Sequence, residues 1–252
     1  MSEISKALAG LEDICEPFVD DIVVWADTPV DEFFTNLQLV FERLRVAKLR
    51  LKKSKCVFGL GEVEHLGHVV NGQGIKLSPL RQQAIQEMAV PKNATSARSF
   101  YGMANYVRNH IRNFSMIAKP LSQLGSSKKP FRWTDEEQTA FEQIKNAIAN
   151  APMLHHLDYE SPIVVRTDAS NVGVGGVLLN LVDGVERIVA YVSKAFDGPA
   201  RNWATIEQEA YGIYFAITSW EHLLLGHRFT VESGRSGKNR RKKRRFFHFR
   251  KN

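Results

Sequence analysis

"PIVVRTDASNVGVGGVLLN", residues 162–180, opens on a β-branched run and reaches Asp168 just before a segment rich in glycine. Short apolar runs bounded by turn residues predict strands, here 162–168 and 172–180. The two-residue period of a strand puts Asp168 on the face of Val164 and Arg166, at the strand's end. Gly173, Gly175 and Gly176 permit a close turn and the near approach of another backbone. "RIVAYVSKAF", 187–196, extends the pattern into a three-strand meander. A long apolar helix is expected over 203–225, and "RFTVE", 228–232, reads as a fourth strand.

Toward the N-terminus the pattern turns helical. Ser78-Pro79 has the form of an N-cap with proline at the first helical position. A second helix is expected to start at Thr95 or Ser96 and run towards His110. "TDEEQTAFEQIKNAIA" carries a capping box, Thr134 with Glu137, and a stripe of Phe141, Ile144 and Ile148. Residues 31–48 offer another stripe: Phe34, Leu37, Val40, Phe41, Leu44 and Ala47. Between them, "KCVFGLGEVEHLGHVVNGQGIKL" predicts short strands broken by Gly59, Gly61, Gly67 and the turn Asn71-Gly72.

Composition narrows the function classes. A chain of 252 residues with 44% apolar content can bury a real core. Cys15 and Cys56 have no metal-ligand spacing, which predicts a reducing compartment and no disulfide scaffold. No secretory signal is visible, and the longest apolar stretches reach about half of the roughly 20 residues a membrane helix needs. The expectation is an intracellular protein of the cytoplasm or nucleus, with no membrane partner. The net charge of +7 belongs to the end of the chain. Residues 235–252 hold ten Lys/Arg and no acid, and without them 24 basic side chains face 27 acidic ones, a formal charge of −3. The charge balance of 1–234 is therefore no argument for a nucleic-acid groove.

"EPFVDDIVVWAD", residues 16–27, sets Asp20 and Asp21 between two apolar runs. Adjacent aspartates support a simple turn by bonding their own backbone. They also suit a two-metal site, because flanking strands fix carboxylates at a hairpin tip. In the helix "NWATIEQEAYGIYFAI", the expected buried stripe is Ile206, Ala210, Ile213, Ile217, Trp220 and Leu224. Glu209 and Glu207 then lie on opposite flanks, and helical geometry favours Glu209 only mildly. His65, His68, His155 and His156 lack a zinc-like set of partners and read as turn or surface residues. Trp133 and Tyr106 could stack on bases; core packing is the expectation.

From residue 18 onward these motifs, in this order, resemble the reverse transcriptase–RNase H region of Gypsy-type LTR retrotransposon polyproteins. "FVDDIVVWAD" is similar to the family's YxDD box, with Phe18 in place of Tyr. "KCVFGLGEVEHLGHVVNGQGIKLSP" resembles the strands of the primer grip. "VPKNATSARSFYGMANYVRNHIRNFSMIAKPLSQL" resembles the thumb, and "FRWTDEEQTAFEQIKNAIANAPML" the connecting helix before RNase H. "RTDASNVGVGGVL" is similar to that domain's first strand and turn. The likeness covers roughly 16–232.

The resemblance implies an α+β fold: a partial polymerase palm and helical thumb, then a truncated RNase H-like mixed sheet with helix. The implied segments are 1–75 (palm remnant with the FVDD hairpin and primer-grip-like strands), 76–127 (thumb-like helices), 128–158 (connecting helix), 159–234 (partial RNase H-like domain) and 235–252 (basic tail, expected disordered). It implies catalytic roles for Asp20, Asp21, Asp168 and Glu209, the family's E-x-x-A pattern deciding for Glu209 over Glu207. Asp20, Asp168 and Glu209 would be ligands of Mg²⁺. The implied partners are an RNA–DNA hybrid or primer–template, read by shape and 2′-hydroxyls, and a full-length polyprotein. The implied chemistry is RNA-directed DNA synthesis coupled to cleavage of RNA in hybrids.

Two departures temper that chemistry. The family's other palm aspartate lies upstream, and residues 2–19 read as helix plus loop. Where the family has a third RNase H carboxylate, this sequence has Ser233 and Gly234, with Glu232 one or two positions away. The expectation is therefore weak or no activity alone. The alternative is a binding module that holds duplex without chemistry. A third reading is an unstable product with an exposed sheet edge. The tail can bind phosphates or direct nuclear import; an out-of-frame end is the plainer reading.

Overall fold

The computed structural model describes residues 2–26, 30–124, 130–234 and, for the backbone alone, 243–248. The chain forms two compact units, 1–65 and 66–252. The five segments named above are a division by resemblance, not by compactness.

In the first unit, α1 (Glu3–Ala7) is capped by the Ser2 hydroxyl, which accepts the Ser5 N–H at 3.1 Å. It leads into a hairpin of β1 (Cys15–Phe18) and β2 (Asp21–Val24), then α2 (Val30–Val46), and later β3 (Glu62–His65). Leu8, Leu11, Cys15, Val40 and Leu44 form the core. The Asn36 carboxamide donates to the Trp25 carbonyl at 2.9 Å, fixing the exit from the hairpin onto α2. Of the stripe expected on this helix, Val40 and Leu44 are buried, but Phe34 and Phe41 are exposed. Periodicity marks an apolar face without saying what covers it.

The second unit begins with β4 (His68–Asn71) and β5 (Gly74–Leu77), an antiparallel pair extended by β6 (Leu154–His155). A helical layer follows: α3 (Pro79–Gln86), α4 (Ala94–Tyr106), α5 (Phe114–Ile117), α6 (Lys119–Leu124) and α7 (Asp135–Ala149). Local chemistry sets most of its boundaries. Ser78 Oγ accepts the Arg81 N–H at 3.2 Å ahead of Pro79, and the Glu137 carboxylate accepts the Thr134 N–H at 2.9 Å. The start of α4 lies earlier than expected. Asn93 is its cap, and Ser96 is the reciprocal partner of that cap rather than the cap itself. Phe100, Phe114, Leu121, Phe141, Ile144 and Ile148 fill the core of the layer.

His110 belongs to that core, only 4% exposed. Its Nδ1 lies 3.2 Å from the Pro152 carbonyl, and its ring stacks on His68 at 5.5 Å. Burial lowers its pKa to about 4; the Pro152 carbonyl pulls the other way and the His68 charge adds to the lowering. The unfolded chain thus takes up a proton that the folded chain refuses. Stability is full above about pH 6.5 and falls between there and about pH 4. Urea melts across that window should show a loss of about 3 kcal/mol that is absent in His110→Gln.

The last layer is a mixed sheet in the order β11-β10-β7-β8-β9. Strands β7 (Ile163–Ser170), β8 (Gly173–Val182) and β9 (Val185–Ala195) form the antiparallel meander. The helical stretch expected over 203–225 is interrupted at Trp220, giving α8 (Thr205–Ser219) and α9 (Glu221–Leu224). It crosses over to β10 (Arg228–Ser233), parallel to β7. The backbone of 243–248 forms β11 (Lys243–His248) on the edge of β10. An open edge offers unpaired N–H and C=O groups to any strand; that part of the tail is a strand, against expectation. The remainder of 235–252 lies outside the described residues.

Candidate nucleic-acid and metal site

Asp20 occupies the two-residue turn between β1 and β2, and Asp21 begins β2 opposite Phe18. Both are exposed. Val19, beside them, has φ 52°, a left-handed backbone that a β-branched side chain adopts only under strain. Strain held at an exposed acidic tip is a local feature that sequence spacing does not reveal.

Asp168 lies near the C-terminal end of β7, exposed, and pairs across the strands with Gly175. Its neighbour Thr167 points to the opposite face, where α8 packs. The contact is close because α8 carries small residues there: a Cβ on Gly212 would meet Val174 at 3.4 Å and Thr167 at 3.9 Å. Gly176 likewise faces Ala216 and Trp220. The buried line of α8 is thus Gln208, Gly212 and Ala216. Ile206, expected at the stripe's edge, is 78% exposed. The buried line is rotated from the stripe of the largest apolar residues, because the smallest residues make the closest approach.

That rotation separates the two glutamates. The exposed Glu207 carboxylate accepts the Ala204 N–H at 2.8 Å and is spent on the helix start. Glu209 is partly enclosed on the flank of the buried line, one turn before Gly212. Tyr211 packs with Ala169 and Val174, which fixes the first turns of α8 over the Asp168 end of the sheet. The first turns of α8, which carry Glu209, thus lie over the Asp168 end of the sheet, on the face that Thr167 rather than Asp168 points to. Asp20 and Asp21 belong to the other unit.

Glu232 does not extend this set. It stands opposite Arg166 in the β10–β7 register and accepts the Arg166 Nε–H at 2.8 Å. Arg166 also binds both oxygens of Glu186, at 2.9 and 2.7 Å. These two carboxylates hold the guanidinium pKa above its ordinary value. Beyond Glu232, Ser233 pairs with Thr167. Among the described residues, no three His, Cys, Asp or Glu side chains gather as a cation site.

The glycines of β8 have a use that sequence reading missed. The space beside Gly173 and Gly175 is taken by Met116 and Asn113 of the helical layer, and that beside Gly176 by α8. The seam is polar as well. The Ser115 N–H donates to Ser193 Oγ at 2.8 Å, the Ser115 hydroxyl to the Ser193 carbonyl at 2.7 Å, and Arg108 to the same carbonyl at 3.1 Å. Tyr106, an expected core residue, is half-exposed; its hydroxyl and Arg81 both donate to the Leu66 carbonyl at 3.1 Å. Trp133 packs on Phe141 in the core, as expected. His155 and His156 lie within hydrogen-bonding distance of the Gln73 and Asn71 carbonyls.

The chain is similar in sequence and fold to known proteins. Residues 133–231 match the RNase H-like domain found in reverse transcriptase. The Pol polyprotein of Drosophila melanogaster transposon 412 is 35% identical over 86% of this chain, and that of transposon 297 is 34% identical over 87%. The chain belongs to the reverse transcriptase–RNase H region of Gypsy-type retrotransposon polyproteins. It spans 17% and 20% of the length of those two relatives. The foamy viral protease–reverse transcriptase in complex with RNA/DNA hybrid is 28% identical, with a TM-score of 0.75, over 92% of this chain and 31% of that one. A second form of that viral enzyme, in complex with double-stranded DNA, gives a TM-score of 0.77 at 27% identity, over 94% of this chain and 41% of that one.

As a reverse transcriptase/RNase H-like segment, the chain has the α+β fold of its family. The family is generally Mg²⁺-dependent. Asp168 and Glu209 are hard oxygen donors of the kind that ion takes. No helix among the described residues is long and apolar enough to cross a membrane.

Proposed function

We propose that this segment binds an RNA–DNA hybrid or primer–template against the Asp168 end of the sheet, as part of a polyprotein that makes DNA on RNA and cleaves the RNA. The observation that supports the reading is the close packing of α8 on β7 through Gly212, which sets the first turns of α8, with Glu209 on their flank, over the end of the strand that carries Asp168. The likeness to a viral reverse transcriptase in complex with RNA/DNA hybrid supports the choice of ligand. Asp168 and Glu209 would hold Mg²⁺ on the nuclease side and Asp20 on the polymerase side, with Asp21 beside the primer end. When bound, the ion supplies charge neutralisation at the phosphate and activation of the attacking oxygen. The residues themselves orient: β7 holds Asp168 in register with Gly175, and the flank of α8 holds Glu209 partly enclosed. A full-length copy of the polyprotein is the proposed protein partner, and an intracellular site, cytoplasm or nucleus, the proposed location. The expectation of weak or absent activity gains no support from the fold or the relatives.

Fluorescence anisotropy with a labelled RNA–DNA hybrid tests the reading. Affinity should be measurable at 50 mM salt and should fall with a linear log–log dependence on salt, the mark of phosphate contacts. Absence of binding at low salt would overturn the proposal.

A further inference from the structure

Asn113 stands where α5 begins, with φ 58° and ψ 26°, and its side chain makes no capping bond. Its Oδ1 instead reaches the sheet: it lies 2.2 Å from the point that a Cβ on Gly175 would occupy. No side chain but glycine's hydrogen leaves that space open. Gly175 is the cross-strand partner of Asp168. Paired residues project to the same face, their Cβ positions about 5 Å apart. A carboxylate oxygen of Asp168 can therefore come within the roughly 3 Å that separates neighbouring ligands of one Mg²⁺, whose oxygens sit at about 2.1 Å.

We propose that Asn113 supplies a neutral oxygen beside Asp168 for a hard divalent cation, so that the thumb-like layer contributes directly to the RNase H-like site. This rests on the reading of Asp168 as a metal ligand. It also gives the Gly175 position a role: glycine there keeps the notch open for a carboxamide from 62 positions earlier in the chain, as the numbering of the two residues shows.

The experiment is Mn²⁺ binding to the whole chain, followed by the loss of the free-ion EPR signal. Asn113→Gly keeps the left-handed backbone and removes only the carboxamide. It should weaken Mn²⁺ binding about tenfold, the scale for losing a supporting partner at a metal site. Gly175→Ala, which expels the carboxamide from the notch, should do the same without touching residue 113. Asn113→Asp keeps an oxygen there and should bind at least as tightly as the unaltered chain. Unchanged binding in both Asn113→Gly and Gly175→Ala, with Asp168→Ala defective, overturns the role of Asn113 alone. No binding by the unaltered chain, or no loss in Asp168→Ala, overturns the Asp168 reading and this inference with it.

Discussion

Phe100→Ala should cost the second unit about 3–5 kcal/mol, a large part of the total stability of an ordinary domain. Phe100 is fully buried, and its ring lies 4.5 Å from that of Phe141 at 46°. The two rings join α4 to α7 at the centre of the helical layer, where a cavity has rigid walls. Gln82 and Gln86 of α3 donate to the Ile148 and Lys145 carbonyls of α7 at 2.9 and 2.6 Å, so the helices cannot collapse inward without breaking these bonds. Urea denaturation followed by circular dichroism measures the loss. A change under about 1 kcal/mol would contradict the packing described for this layer.

Arg166→Met should be nearly as damaging, for an electrostatic reason. It takes the guanidinium from Glu232, whose side chain is only 8% exposed. Removing Arg166 takes a charge-assisted hydrogen bond from a buried carboxylate, at a cost of about 3 kcal/mol. The Glu186 side contributes less, because that carboxylate is half-exposed and screened by water. One further measurement separates charge from packing: the double variant Arg166→Met/Glu232→Gln should recover most of the loss. A double variant no better than the single one would show that the guanidinium acts through packing instead.

What could be read in the sequence was mostly local. Ser78-Pro79 and Thr134 with Glu137 mark helix starts because cap and partner lie within three residues. The meander of β7, β8 and β9 is legible because strand alternation and glycine turns are short-range signals. What escaped depends on distant partners. Gly173 and Gly175 read as room for nucleic acid, yet Met116 and Asn113 fill that room. The buried line of α8 could not be drawn correctly without knowing that the sheet comes closest at Gly212 and Ala216. With that line set by the sheet, Glu207 serves the helix start and Glu209 stands on the flank of the line. Phe34 and Phe41 carry a helical apolar pattern, but a pattern cannot say whether its face is covered within one chain. Arg166 read as a face-mate of Asp168; its role in holding Glu232 follows from the parallel β10 register, a contact across 66 positions.

We propose that Asp168 and Glu209 act together in one cation-dependent site facing a hybrid. The most direct test is the affinity of the chain for a labelled RNA–DNA hybrid with and without Mg²⁺, at constant ionic strength. Mg²⁺ should strengthen binding in the unaltered chain and in Glu207→Gln, whose carboxylate serves only the helix start. That gain should vanish in both Asp168→Asn and Glu209→Gln. Binding indifferent to Mg²⁺, or a gain that survives either of those two substitutions, would contradict the account.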